Sequence, residues 1–219
     1  MKKKKGVALT MVLCGLLVAV LAVGGTLAWM TTTTETKTNS FSVASGTMKA
    51  TLTEPAFTAA EKAKANKLKP GDIINKDPTV TNTTAAADGT SEWVGLKLTF
   101  TKGDGTTQLN STEMALLLRV ISYTINANWM GGTPTVGTTD QNRTFYYTQR
   151  LAAGGSSTNP LFSSVRVLSS APDADLTTIK DSWNGFKILI NGGAVQGDIA
   201  AAWAGNESTI RAEIDALIP

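Results

Sequence analysis

Carboxylates are the side chains of this chain best placed to do chemistry, because it has no histidine and its one cysteine, Cys14, lies in an apolar N-terminal run. Without histidine there is no HExxH zinc site and no Ser-His or Cys-His pair. Two carboxylates can still act as acid and base on a glycosidic bond. The candidates are Glu54, Glu61, Asp104, Asp140, Asp173 and Asp175. None of the six sits in a motif, and their scattered spacing fits solvated surface. Asp173 with Asp175, and Asp104 between two glycines, come nearest to a calcium loop, yet neither has the spacing of one. Gly131-Gly132 and Gly192-Gly193 read as turns, not as phosphate cradles. Five tryptophans and three tyrosines are dispersed along the chain and suit core and rim better than a carbohydrate platform. The expectation is a protein that is not an enzyme, with no catalytic residue, no cofactor and no metal.

The N-terminus carries a different kind of signal. Lys2–Lys5 are four consecutive cations, Gly6–Val23 is an uncharged, mostly apolar run, and Gly24-Gly25-Thr26-Leu27-Ala28 is small-residue chemistry. These are the three parts of a secretory signal peptide, cleaved between Ala28 and Trp29 with Thr26 and Ala28 facing the peptidase. A retained membrane anchor is the competing possibility, since a run of about 18 residues is at the lower edge of what spans a bilayer. Leu13 before Cys14 does not suit a lipoprotein. Cleavage would remove the only cysteine and take the formal net charge from +3 to −1. No basic surface then argues for a nucleic-acid partner. The remaining chain, about 190 residues without a disulfide, is long enough to be held by one buried core.

The elements expected in that chain are mainly strands. Thr favours strands, while Gly and Asn supply turns. Residues 29–40 form an extended-prone segment, with Trp29, Thr31 and Thr33 on one face and Met30, Thr32 and Thr34 on the other. Phe41 and Val43 then alternate, and Met48, Ala50 and Leu52 alternate on the opposite parity, which calls for a bulge near Ser45-Gly46. Residues 58–67 read as a short helix or an exposed loop. Ile73, Ile74 and Val80 mark one strand, with Pro78 making it an edge or bulged strand. Val94, Leu96, Leu98 and Phe100 mark a half-buried strand with Gly95, Lys97 and Thr99 on its open face. Asn110 and Glu113 predict a capping box before a helix at Met114–Leu118. Residues 119–129 read as a strand ending at Trp129. Further strands are expected from Phe145, over 161–168, and at Phe186–Ile190, the last bent at Gly192-Gly193. A short helix is expected at Asp173–Asp181. At the C-terminus 198–204 and 207–217 favour helix, with Asn206 as a cap and Ile210, Ile214 and Leu217 on one stripe.

Four segments resemble the TasA/camelysin family of bacterial secreted proteins, whose signals are removed by a specialised peptidase of the SipW type. They are GGTLAW at 24–29, FSVASGTMKATL at 41–52, LKPGDIINKDPTVTNT at 68–83, and the series FYYTQRL, NPLFSSVRV and GFKILINGGAVQGD within 145–198. The stretch after VTNT departs from the family, with a longer loop at Thr84–Ser91 before Trp93-Val94. The resemblance implies a jelly-roll-like antiparallel β-sandwich at 41–219 with short peripheral helices and a C-terminal helix. It also implies a secreted subunit of biofilm-matrix fibres. Residues 29–40 would be the donor strand that completes the sheet of the next subunit, making the chain a homo-oligomeric filament. A surface-displayed adhesin or an accessory protein that anchors the matrix without polymerising is the alternative. The partners implied are further copies of the chain, an accessory matrix protein, and the signal peptidase during export.

Overall fold

The computed structural model describes residues 41–43, 48–131 and 143–218. The Ala28–Trp29 junction, Met30 and Thr31–Thr34, Asp140 and the expected bulge at Ser45-Gly46 lie outside the described residues. In chain order the elements are β1 (Phe41–Val43), β2 (Ala50–Thr53), α1 (Ala59–Ala65), β3 (Ile73–Asn75), β4 (Thr79–Asn82), β5 (Glu92–Lys102), α2 (Ser111–Leu118), β6 (Ile121–Ser122), β7 (Trp129–Gly131), β8 (Arg143–Tyr147), β9 (Ser164–Val167), α3 (Asp173–Thr177), β10 (Phe186–Gln196) and α4 (Glu207–Asp215). Among the described residues no helix is long and apolar enough to cross a membrane.

The fold is β-rich, with a few helices around three sheets. The largest has the order β1-β10-β5-β8-β7, and the others are β2-β4 and β3-β9-β6. All pairings are antiparallel except β1 with β10. The spine is the eleven-residue ladder between β5 and β10, from Phe186↔Lys102 to Gln196↔Glu92. Its length follows from clean alternation: Val94, Leu96, Leu98 and Phe100 are fully buried on one face. They share a single core with Ile190 of β10, Phe145 of β8, Val80 of β4, and Ile74, Val165 and Val167 of the third sheet.

Three expectations need correction here. Ile73-Ile74 and Val80 belong to two strands in different sheets, β3 against β9 and β4 against β2. The Asp77-Pro78 pair ends one strand and lets the chain cross to the other, because proline cannot donate to a ladder. The stretch 119–129 is not one strand but the two-residue β6, an irregular segment, and then β7. Finally, β10 runs unbroken through Gly192-Gly193.

Those glycines serve packing instead of bending. Gly193 pairs with Gly95 across the ladder, and α4 lies directly over both. A Cβ on Gly95 would sit 2.6 Å from Ile214 Cγ2, and one on Gly193 would sit 2.8 Å from Ile218 Cγ1. The face of β5 expected to be open is therefore closed at this end. Trp93, Tyr146, Val195, Trp203, Ile210, Ile214 and Ile218 form a second, smaller core beneath α4. The Tyr146 hydroxyl donates to the Asp215 carboxylate at 2.6 Å, and Trp93 Nε1–H donates to the Ala200 carbonyl at 3.2 Å. Ile210 and Ile214 are fully buried as their spacing predicts. Asn206 does not cap α4: its side chain donates to the Ala202 carbonyl instead. Of residues 198–204 only Asp198 and Ile199 are helical, in a single 3-10 turn at Gly197–Ile199, and the rest is irregular up to α4.

Local chemistry explains the other helices. The Thr58 hydroxyl accepts the Glu61 amide and starts α1. At α2 the Asn110 side chain accepts the Glu113 amide and the Glu113 carboxylate accepts the Asn110 amide, each at 3.0 Å, a full capping box.

Candidate assembly edge

The edge of the large sheet next to the N-terminal segment is built by β1 and β10. β1 runs parallel to β10 in the register Phe41↔Gly192, Ser42↔Gly193 and Val43↔Ala194. β10 is zipped to β5 along its whole length on one side, while on the other side β1 is the only described strand. A parallel edge pairing of three residues is weak beside an eleven-residue antiparallel ladder. The stretch Phe186–Asn191 of β10 has no described strand on that side.

Beside that stretch of β10 lies an apolar crevice of about 30 Å³, lined by Phe57, Leu68, Ile74, Val165, Phe186 and Ile188 together with the stem of Lys76. It has room for a small side chain. The Lys76 ammonium sits at its margin, where it pairs with Glu54 and lies 4.7 Å from the centre of the Phe57 ring. The Lys76 and Glu54 side chains are mostly buried, so the pair holds the margin while its aliphatic stem extends the apolar wall. α1 closes the crevice from above through Ala65, which is buried.

The carboxylates considered as acid and base are occupied separately. Glu54 pairs with Lys76. Glu61 accepts the Asn75 backbone amide at 2.8 Å. Asp104 accepts the Thr107 hydroxyl and the Thr106 and Thr107 amides, bonds that hold its carboxyl well below the usual range. Asp175 takes Arg119 in a two-pronged ion pair at 2.7 and 2.9 Å, which lowers its carboxyl. Asp173 stands in the first turn of α3. Among the described residues no group of three acidic, histidine or cysteine side chains is placed to hold a metal ion.

The carboxylate whose proton burial holds most firmly is one that sequence reasoning missed. Glu92 opens β5 and is fully buried. Its Oε1 accepts the Thr84 hydroxyl at 3.2 Å, and its Oε2 has no hydrogen-bond partner. Burial pushes the carboxyl up to about 7, against the smaller pull of the Thr84 hydroxyl. Around it Asn82 donates to the Leu151 and Thr90 carbonyls, and the Lys49 amide donates to Thr84. Glu92 and Leu151 also exchange both backbone hydrogen bonds at 2.9 Å. This polar knot ties the small β2-β4 sheet to the large one. Its signal was present in the sequence, since Glu92 extends the core-facing parity of Val94, Leu96, Leu98 and Phe100 by one step.

In comparison with known proteins, no family model, no curated protein and no solved structure matches this chain.

Proposed function

We propose that the chain is a secreted structural subunit of an extracellular matrix fibre and joins its neighbours by exchanging its N-terminal strand. The observation that carries this is the place of β1: a short parallel edge strand, directly after the Thr-rich segment in the chain, on the same β10 whose far end, at Phe186 and Ile188, lines an apolar crevice. The secretory pattern ending at Ala28 and the four segments that resemble the TasA/camelysin family support it. In this reading the three sheets form a jelly-roll-like β-sandwich. The role is structural and not enzymatic, and the protein acts at the cell surface or in the matrix, with an accessory matrix protein as a further partner.

Strand exchange follows from simple physics. A sheet edge presents a row of backbone amides and carbonyls that an extended chain satisfies, and alternate side chains of that chain fill adjoining pockets. A strand from a second copy cannot follow β1's register while the first copy's β1 stays in place. The exchanged segment, residues 29–40, would therefore carry β1 across with it. Each copy gives its strand to one neighbour and receives one from another, so the contact is head-to-tail and does not close. Threonine gives the segment strand propensity without a sticky apolar face.

Electron microscopy tests this with protein starting at Trp29 beside protein starting at Phe41. The longer chain is expected to form filaments at high concentration and the shorter one to remain monomeric. Monomers from both, at neutral and acid pH, would refute the proposal.

A further inference from the structure

A second feature, independent of the assembly edge, lies in the third sheet. β6 and β9 pair only at Ile121↔Val167 and Ser122↔Arg166. The two chains meet again where the Asn126 amide donates to the Leu161 carbonyl at 2.9 Å. Between these points Tyr123–Ile125 must span the same distance as Phe162–Val165. Three residues face four, the register is lost, and the chains part. The opening is a cleft of about 420 Å³, within the range of roughly 300–1,000 Å³ typical of small-molecule sites.

The lining has a definite chemistry. Its inner wall is aromatic: the half-buried Tyr123 is backed by the fully buried Phe162, with ring centres 5.7 Å apart. Its walls carry the hydroxyls of Ser122, Thr124 and Ser164 and the amide of Asn126, and its one charged lining residue is Arg166, which is exposed. No carboxylate lines it. A second cation is near: burial raises the Tyr123 phenol, and the Arg143 guanidinium opposes that rise.

We infer that this cleft binds an acidic sugar unit of a polysaccharide, with the sugar carboxylate on Arg166. Guanidinium and carboxylate match as two parallel hydrogen bonds. The ring hydroxyls of a pyranose meet Ser122, Thr124, Ser164 and Asn126, and its apolar face rests on the half-buried Tyr123 ring, which Phe162 backs. Neutral sugars lack the group that Arg166 addresses. A phosphate-bearing polyol shares the charge but lacks the flat apolar face.

The test is a titration followed by amide chemical shifts, using the chain from Trp29 onward, which keeps every described residue, at a concentration below that at which any filaments form. The probes are tetragalacturonate, a neutral galactose tetramer and glycerol phosphate. Saturable binding of tetragalacturonate is expected, with shifts centred on 122–126 and 162–166. The neutral tetramer and glycerol phosphate are expected to bind at least tenfold more weakly. Arg166→Gln is expected to weaken tetragalacturonate binding by roughly ten- to hundredfold, the worth of a charge-assisted pair, with an otherwise unchanged spectrum. The inference is overturned by absence of saturable binding, by shifts centred elsewhere, by equal affinity of Arg166→Gln, or by a neutral or phosphate probe that binds as tightly. Because the probes are small and the cleft lies apart from β1, the outcome is separate from that of the filament experiment.

Discussion

Glu92→Gln is expected to abolish a loss of about 3 kcal/mol in folding stability that the native chain suffers as pH rises from about 4.5 to 7. The sign follows from the direction of the shift. Burial raises the folded-state carboxyl to about 7 from an ordinary 4.5. Below 4.5 both states hold the proton and the carboxyl costs nothing. Between the two values the folded state keeps a proton that the unfolded state has released, so stability falls as pH rises. Above 7 both are ionised, and the full cost of a buried carboxylate is present at a constant level. Glutamine keeps the acceptor for Thr84 and cannot ionise, so position 92 then contributes no slope across this window. Its amide N–H groups meet the space in which Glu92 Oε2 has no partner, which lowers the whole curve without tilting it. Urea melts at pH 4, 6 and 8 read the difference: the native curve is expected to fall by about 3 kcal/mol relative to the Glu92→Gln curve as pH rises. Equal slopes in the two proteins would show that Glu92 does not titrate in this range.

Gly95→Ala is expected to cost about 2 kcal/mol through overpacking, although it adds one methyl group. That methyl would stand 2.6 Å from Ile214 Cγ2 and 3.4 Å from the Phe145 carbonyl oxygen. Ile214 is branched at Cβ and fully buried, so it cannot swing away, and α4 must lift. Lifting exposes Trp93 and Trp203, which lie 6.0 Å apart beneath the helix, and tryptophan emission should move to the red. Ile214→Ala alone should cost roughly 2–5 kcal/mol by leaving a cavity. The double variant should cost less than the sum of the two by about 1–2 kcal/mol, because the new methyl enters the space the isoleucine leaves. Strict additivity, measured by denaturant unfolding, would mean that α4 does not bear on Gly95.

These two sites also show how far the sequence could be read. Period-two alternation located β5 and the core-facing row of β10, because a face buried against a core leaves that mark in any strand. The i, i+4 spacing of Ile210 and Ile214 located α4 and its buried stripe. Asn110 and Glu113 announced α2, since a capping box is chemistry within four residues. The failures share one cause: the deciding partner is distant in the chain. Gly193 looks like a bend until Gly95, almost one hundred residues away, is found opposite it with a helix above both. Thr99 and Lys97 look like an open face until α4 is known to close one end of it. Pro78 was legible as a disturbance, but not as a crossing between sheets. Glu92 continued a core parity and was passed over because an acid at a strand's start usually meets water.

The same contrast holds for the assembly edge. The Thr-rich run was visible as a segment fit to add to a sheet. The strand it would join was not, because β1 pairs with β10 about 150 residues further along. The crevice beside β10 collects Phe57, Ile74, Val165 and Phe186 from four separate stretches, a grouping no local pattern announces. The cleft between β6 and β9 was missed for a related reason. Residues 119–129 carry enough apolar side chains to read as one strand, and only the mismatch with Phe162–Val165 breaks it.

Disulfide trapping between two copies tests strand exchange most directly. The chain from Trp29 onward has no cysteine, so introduced thiols report only on each other. If exchange extends the register of Phe41 opposite Gly192 towards the N-terminus, Thr38 would come opposite Leu189, which is half-buried on β10. Thr38→Cys and Leu189→Cys are placed in separate chains, mixed under conditions that give filaments, and oxidised. Exchange predicts a covalent dimer of one chain of each kind, and predicts a ladder of longer species when a single chain carries both substitutions. A doubly substituted chain that closes only on itself, with no dimer in the mixture, would contradict it.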